Sequence, residues 1–412
     1  MMAMTRSTLA RLILPLLLAT ACGGGESVTA ASPVATVEIA WDGNPLAQSS
    51  TVQMKAVPRN ERGAELLSKP VTWTSSNPAL ATVSASGLVT ATGRTGSVII
   101  TAASEGKSGS AEVPLWWLYR PLNTYPVDAP APFTVRDSAL ARDITIQVRL
   151  PRGAAAPLPV VLVVSSVTTG WLSSPELGTA FAAAGYAVIH VGSSGLIAGC
   201  RDLLKLPGGE CPDNMLGYDV AYDARVLLDN LELIGRQIGV VLDASRVGAS
   251  GHSNGGFVVY HLAGATVQFT SKSAQTFPDN RIAAFLSNAG PSTTNSLGRP
   301  SGWSSTSWAG ITKPMMLQVS TGDATHVREP YDLMSPGDKY LAFFSSLNID
   351  HGILGLQGTS DVTRANDVTQ LIATNGVAFF DAYVRGRAEA KEWLTTNQLA
   401  RATKGVGQIS TK

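Results

Sequence analysis

The sequence predicts a multidomain chain in which a small all-β sandwich precedes a larger α/β domain, the latter a mainly parallel sheet with helices on both faces. Three observations carry this. The chain has 412 residues, which at roughly 150 residues per domain is enough for two or three folding units. Between Val34 and Pro114, short alternating runs recur between Gly, Asn, Ser and Pro, the pattern of a sandwich of short strands. Beyond Phe133, apolar strand-like runs alternate with longer helical segments, the order that builds a parallel sheet. The charge balance, Lys+Arg 31 against Asp+Glu 30 for a net charge of +1, provides no basic field for phosphate backbones, so nucleic acid is excluded as a partner.

The first 21 residues are predicted to be a signal peptide. Arg6 and Arg11 precede the apolar run Leu12 to Leu18, which is too short to span a bilayer. Thr20-Ala21-Cys22 resembles a bacterial lipobox, which implies lipidation of Cys22, although Ala19 stands where that motif prefers Leu. Ordinary cleavage near Ala21 is the alternative. Residues 22–33 are small and polar and suit a tether that holds a folded body off a membrane. Of the three cysteines, Cys200 and Cys211 then remain as a pair in an oxidising compartment. A disulfide is expected between them, closing a short loop and contributing about 3 kcal/mol. Two free thiols or a metal site are the alternatives, but no His lies near with ligand spacing, so no metal is expected.

In residues 34–115 the strand-like runs are Ala35 to Trp41, Thr51 to Val57, Val71 to Thr74, Ala81 to Ser84, Gly87 to Ala91, Ser97 to Ala102 and Ser110 to Leu115. The stretch Val71-Thr-Trp-Thr-Ser-Ser-Asn-Pro, the Val-Ser that follows it, Gly87-Leu-Val-Thr-Ala and Gly96-Ser-Val-Ile-Ile-Thr-Ala occur in order. They resemble bacterial Ig-like domains of group 2. The resemblance implies an Ig-like sandwich acting as a spacer or in surface attachment, through contact with a cell surface or polysaccharide. Trp73 is expected in its core. No titratable cluster occurs here, so the module is assigned no chemistry. Residues 116–132 form a linker whose four prolines argue against regular structure; its aromatic residues are expected to pack on a flanking domain.

Within residues 133–412, strands are expected at Ile144 to Leu150, Pro159 to Ser165 and Tyr186 to Val191, with helices at Leu177 to Ala184 and Gly217 to Ile238. The next junction, Gly251-His-Ser253-Asn-Gly255, follows a strand-like run and opens a helix. Glycines there permit a sharp turn that exposes a serine at the top of the sheet. A serine hydroxyl is a poor nucleophile at neutral pH and needs a base and an orienting acid, which in such folds follow in the order Ser, acid, His. Pro314 to Ser320 is an apolar strand with Asp323 in the turn behind it, and Lys339 to Phe344 is a strand followed by His351 on a loop. Asp323 is therefore the expected acid and His351 the expected base. His326 is the main rival base. His190, at the end of an early strand, is expected to be a satisfied structural histidine, with a place in the mouth of the site as the alternative; His261 is expected to be a packed residue and His252 part of the pocket wall. Asp338 precedes a strand and Asp350 adjoins the histidine, so both are disfavoured as the acid.

The stretch from about Phe133 to Leu394 resembles α/β-hydrolases of the predicted dienelactone hydrolase, platelet-activating-factor acetylhydrolase-like and cutinase-like polyesterase group. Asp143-Ile-Thr-Ile-Gln-Val-Arg-Leu-Pro, the Gly-His-Ser-Asn-Gly-Gly elbow, Lys313-Pro-Met-Met-Leu-Gln-Val-Ser-Thr-Gly-Asp and Asp350-His-Gly carry it. The resemblance implies a cofactor-free serine hydrolase of carboxylic esters, with an oxyanion hole at Asn254 and near Val167 or Thr168. Here Ser165-Ser-Val-Thr-Thr-Gly-Trp171 replaces the usual Ser-His-Gly or Ser-Pro-Gly, which puts the second donor in doubt; losing one donor costs about 10²- to 10³-fold in rate. Trp171 is a candidate for stacking on an acyl or aromatic group. The substrate could be a small ester, a lipid, an acylated glycan or a polyester. The expected location is the cell envelope, through lipid on Cys22, or otherwise the periplasm or exterior. Two other functions fit the same residues: a catalytically impaired surface-binding protein, and an amide or peptide hydrolase.

Overall fold

The computed structural model describes residues 32–93, 95–164, 174–192, 218–267, 275–293, 303–322, 328–346, 349–356 and 362–412. Every strand-like run of the N-terminal module forms a strand. In chain order these are β1 (Thr36–Ala40), β2 (Leu46–Ala47), β3 (Thr51–Gln53), β4 (Lys55–Arg59), β5 (Thr72–Ser75), β6 (Ala81–Val83), β7 (Leu88–Ala91), β8 (Gly96–Ser104) and β9 (Lys107–Trp116). They form three small sheets, β1-β4, β2-β9-β8-β5 and β3-β7-β6. The run from Thr51 is divided at Met54, so β3 and β4 join different sheets. Buried Met54, Val89, Val98, Ile100, Val113 and Leu115 form the core between them, and half-buried Trp73 packs against it as expected.

The linker corrects one expectation. Despite its prolines it contributes a two-residue strand, β10 (Val127–Asp128), which pairs with the large sheet. Proline removes only its own N–H donor, so non-proline residues at a sheet edge can still pair. Trp117 and Tyr119 are buried in the core of the C-terminal domain.

That domain continues with β11 (Phe133–Asp137), β12 (Arg142–Pro151), β13 (Leu158–Val164), α1 (Pro175–Ala183), β14 (Ala187–Val191), α2 (Tyr218–Asp229), α3 (Leu231–Ile238), β15 (Leu242–His252), α4 (Gly255–Ala263), β16 (Thr266–Val267), β17 (Gln275–Thr276), β18 (Ile282–Asn288), β19 (Met315–Ser320), α5 (Glu329–Leu333), β20 (Lys339–Phe344), α6 (His351–Leu354), α7 (Val362–Tyr383), α8 (Ala388–Thr395), α9 (Gln398–Ala402) and β21 (Gly407–Thr411). The ten-stranded sheet has the order β10-β12-β14-β13-β15-β18-β19-β20-β21, with β11 on β12. From β14 to β20 neighbours are parallel, whereas β12 and β21 run antiparallel to them. β13 and β15 are buried by apolar clusters on both faces, one including α2 and α4 residues and the other α1, α7, α8 and α9 residues. The single helix expected from Gly217 to Ile238 is two helices. Asn230 breaks it, leaving the helical region while its Nδ2 donates to the Val226 carbonyl at 2.8 Å, a local bond that competes with helix continuation.

After β13 the chain pairs β14 on one side of it and β15 on the other. Such a reversal of strand order opens a crevice at the carboxyl ends of the strands, where open α/β sheets bind ligands. Among the described residues no helix is long and apolar enough to cross a membrane.

The sandwich and the α/β domain are joined by more than the linker. Gln398 on α9 accepts a bond from the Trp117 N–H at 3.1 Å and donates to Thr95 Oγ1 at 2.7 Å. Arg401 reaches the carbonyls of Leu115 and Gly96 and the Thr95 hydroxyl. Charged-donor bonds of this kind contribute about 1.5 to 3 kcal/mol. Arg401→Ala is expected to loosen the seam, splitting the calorimetric transition and speeding limited proteolysis within residues 116–132 at least severalfold. A single transition and unchanged cleavage would refute this role.

Candidate functional site

The motif Gly251-His-Ser-Asn-Gly255 lies where β15 ends and α4 begins, beside the sheet's reversal of order. Ser253 has φ +56, a left-handed conformation that costs a non-glycine residue about 1 to 2 kcal/mol. The turn is held from both sides: Ser253 N–H donates to the Asn288 carbonyl at 3.0 Å, and the Ser253 carbonyl accepts from Gly256 N–H at 2.8 Å. Gly251 has to be glycine, since a Cβ there would lie 2.3 Å from the Gly255 carbonyl oxygen. Ser253 and Asn254 are both partly exposed. Asn254 is the N-cap of α4, so its N–H belongs to the helix-terminal donors that have no intrahelical acceptor. These donors sit at the positive end of the helix dipole.

The fold brings His351 to this turn. His252 is buried, and its Nε2 donates to the His351 carbonyl at 2.7 Å, which fixes the Nε2–H tautomer; the two rings lie 4.6 Å apart. Gly355 makes this approach possible, because a Cβ there would lie 2.6 Å from the His252 ring. His252 therefore braces the His351 segment. His351, expected on a loop, is the first residue of one-turn helix α6, because the Asp350 carboxylate caps it by accepting from Ile353 N–H at 2.9 Å. That bond occupies Asp350 as a cap. Asp338 is occupied too: it accepts from the Tyr383 hydroxyl at 2.6 Å and from Lys391 at 3.2 Å. These bonds, the Tyr383 hydroxyl foremost, hold its pKa below the usual carboxylate value.

Asp323, the expected acid, and the rival His326 lie outside the described residues, as do Val167, Thr168, Trp171, Cys22, Cys200 and Cys211. The strand leading to Asp323 is described. The Ser320 hydroxyl at the end of β19 donates to the Ile349 carbonyl, and Thr321 N–H donates to the Phe344 carbonyl at 3.0 Å. The chain before Asp323 is thus bonded to the chain before His351.

His261 packs against Trp303 and Phe277 beneath α4, as expected of a core residue. His190 corrects its expectation. It is fully buried on β14 under Gly178 of α1, and among the described residues neither ring nitrogen has a hydrogen-bond partner. Burial, with the nearby Arg149 charge adding to it, lowers its pKa to about 3. The folded state thus binds fewer protons than the unfolded state, whose histidine titrates near 6.5. Stability is full above about pH 6.5 and falls toward pH 3, by about 2 kcal/mol at pH 5. Urea unfolding of His190→Leu at pH 7 and pH 5 is expected to show an acid loss smaller by that amount. Equal losses in the two proteins would remove His190 as the cause.

Two residues of the site escaped the sequence reading. Asn288 supplies the acceptor for Ser253 N–H, and Gln318 holds Asn288. The signal for Asn288 was present: Ile282 to Leu286 is an apolar run followed by Ser-Asn-Ala-Gly-Pro, the same strand-then-turn punctuation as at the elbow.

Comparison with curated proteins finds no match. Residues 33–113 match the family model described as bacterial Ig-like domain (group 2), in agreement with the sandwich of β1 to β9. The N-terminal module of this chain is therefore a bacterial Ig-like domain of group 2.

Proposed function

We propose that the chain is an exported serine hydrolase of carboxylic esters, built on an α/β-hydrolase domain behind the Ig-like module. The observation that carries this reading is the left-handed Ser253 between β15 and α4, with His351 gathered against the preceding residue. A strained, partly exposed serine at a strand-to-helix turn is the geometry of an activated nucleophile. The reversal of strand order beside it supports the placement of a substrate crevice there.

In this reading Ser253 Oγ attacks the ester carbonyl carbon while His351 takes the hydroxyl proton. The Asn254 N–H stabilises the oxyanion of the tetrahedral intermediate. Its collapse breaks the bond to the alcohol, which leaves with the proton from His351, and an acyl-Ser253 ester remains. Water then attacks that ester with His351 again as base, which releases the acid and restores the serine. Asp323 orients His351 and balances its charge when protonated. Lipid on Cys22 would hold the protein at the cell envelope, with the Ig-like domain as spacer or surface contact.

A fluorophosphonate probe tests the proposal, since it phosphonylates only an activated serine. One adduct is expected, mapped by mass spectrometry to the peptide containing Ser253, with parallel hydrolysis of short-chain p-nitrophenyl esters. Absence of an adduct, or an adduct on another serine, would overturn it.

A further inference from the structure

A run of buried side-chain amides leads from α7 and α8 to the elbow. Asn288, Gln318, Asn375 and Trp393 are all fully buried. Trp393 Nε1 donates to Asn375 Oδ1 at 3.0 Å, Asn375 Nδ2 donates to Gln318 Oε1 at 3.2 Å, and Gln318 Nε2 donates to Asn288 Oδ1 at 3.0 Å. Gln318 Nε2 also donates to the Ile372 carbonyl at 3.0 Å, while its own carbonyl accepts from Ala289 N–H at 2.9 Å. Gln318 therefore grips the end of β18 through both side chain and backbone. That end is strained: Ala289 has φ +49, facing Ser253 at φ +56 across the Ser253 N–H to Asn288 carbonyl bond. Left-handed residues of this kind persist only where surrounding structure over-determines them.

Three amides in an otherwise apolar cluster are expensive to bury, and the bonds between them offset that cost, while Asn288 Nδ2 has no partner among the described residues. Apolar residues would fill the same space without that demand. Their placement has a direction: the run ends on the Asn288 side-chain carbonyl, and the backbone carbonyl of the same residue receives the nucleophile's own N–H. At the other end the Trp393 ring meets Trp117 edge-on at 5.8 Å, next to the Gln398 bonds that join the two domains.

We infer that Asn288, Gln318 and Asn375 are positioning residues for the Ser253 elbow, anchoring it to the interdomain seam through Trp393. The inference rests on the hydrolase reading for its catalytic consequence, but the anchoring itself does not depend on activity. Gln318→Met keeps the side-chain volume and removes the amide; Trp393→Phe keeps an aromatic ring and removes the N–H at the far end.

Gln318→Met is expected to lower kcat for ester hydrolysis about tenfold with KM within about twofold, since displacement of a nucleophile acts on the chemical step. Amide exchange across residues 250–257 should rise about tenfold, with residues 158–164 of β13 unchanged as an internal control, and Trp393→Phe should give about a threefold change in both. The proposal is overturned if elbow exchange stays at the wild-type rate, if β13 exchange rises equally, or if the elbow loosens while kcat holds. A wild-type protein inert to both esters and the fluorophosphonate probe would instead sink the hydrolase reading, and elbow exchange would then decide the anchoring on its own.

Discussion

Ser253→Ala is expected to lower kcat for ester hydrolysis by about 10⁴- to 10⁶-fold, with KM little changed, because the hydroxyl forms the covalent bond of the intermediate. Residual turnover over water would come from binding and from the Asn254 N–H alone. Stability gives a second readout, of the backbone strain at this position and not of the chemistry. Alanine keeps the strain of φ +56, so the melting temperature of Ser253→Ala should stay close to that of the wild type. Glycine relieves it, so Ser253→Gly should be inactive yet more stable by about 1 kcal/mol. That opposition of activity and stability marks a residue whose strain is retained for chemistry. Full ester hydrolysis by Ser253→Ala would place the nucleophile elsewhere.

The elbow was legible in the sequence because its demands are local. A glycine is required at Gly251 by the Gly255 carbonyl a few residues away, and the serine between them is seen in the same short window. His351 was legible from its place in the order serine, acid, histidine along the chain, although β18 and β19 stand between β15 and β20 in the sheet. What stayed hidden is long-range and polar. Gln318 lies inside the apolar run Met315–Ser320 and looks like a tolerated polar residue until Asn288 and Asn375 are found around it. The break at Asn230 depends on one side chain turning back to Val226, which the apolar periodicity on either side of it does not reveal. The clasp of α9 on the sandwich joins Arg401 to Leu115, and nothing in either segment announces the other.

Asp381→Ala is expected to be the most destabilising single change away from the elbow, by about 3 to 5 kcal/mol. Asp381 is fully buried near the end of α7, where the helix dipole disfavours an anion. Its carboxylate is held by four donors: the hydroxyls of Tyr119 at 2.6 Å and Tyr186 at 2.7 Å, Arg385 at 2.8 Å and Arg387 at 3.2 Å. Arg385 also lies 3.9 Å above the Tyr186 ring. Burial and the neighbouring carboxylate raise the pKa of both tyrosines well above the ordinary phenol value, so they remain neutral donors across the physiological range. Truncation to alanine leaves the Arg385 guanidinium and two buried hydroxyls facing a void, while Arg387 keeps its bond to Glu389 at 2.9 Å, and the uncompensated Arg385 charge dominates the loss. For a domain of this size the melting temperature should fall by roughly 10 °C. Tyr119 belongs to the linker and Tyr186 precedes β14, so the same change should also free the linker for proteolysis. Asp381→Asn, which retains an acceptor for the tyrosines but loses the charge between the arginines, should lie between wild type and alanine. A melting temperature for Asp381→Ala within a degree or two of the wild type would mean that the arginines escape to solvent and that the cluster contributes little to holding the linker on the α/β domain.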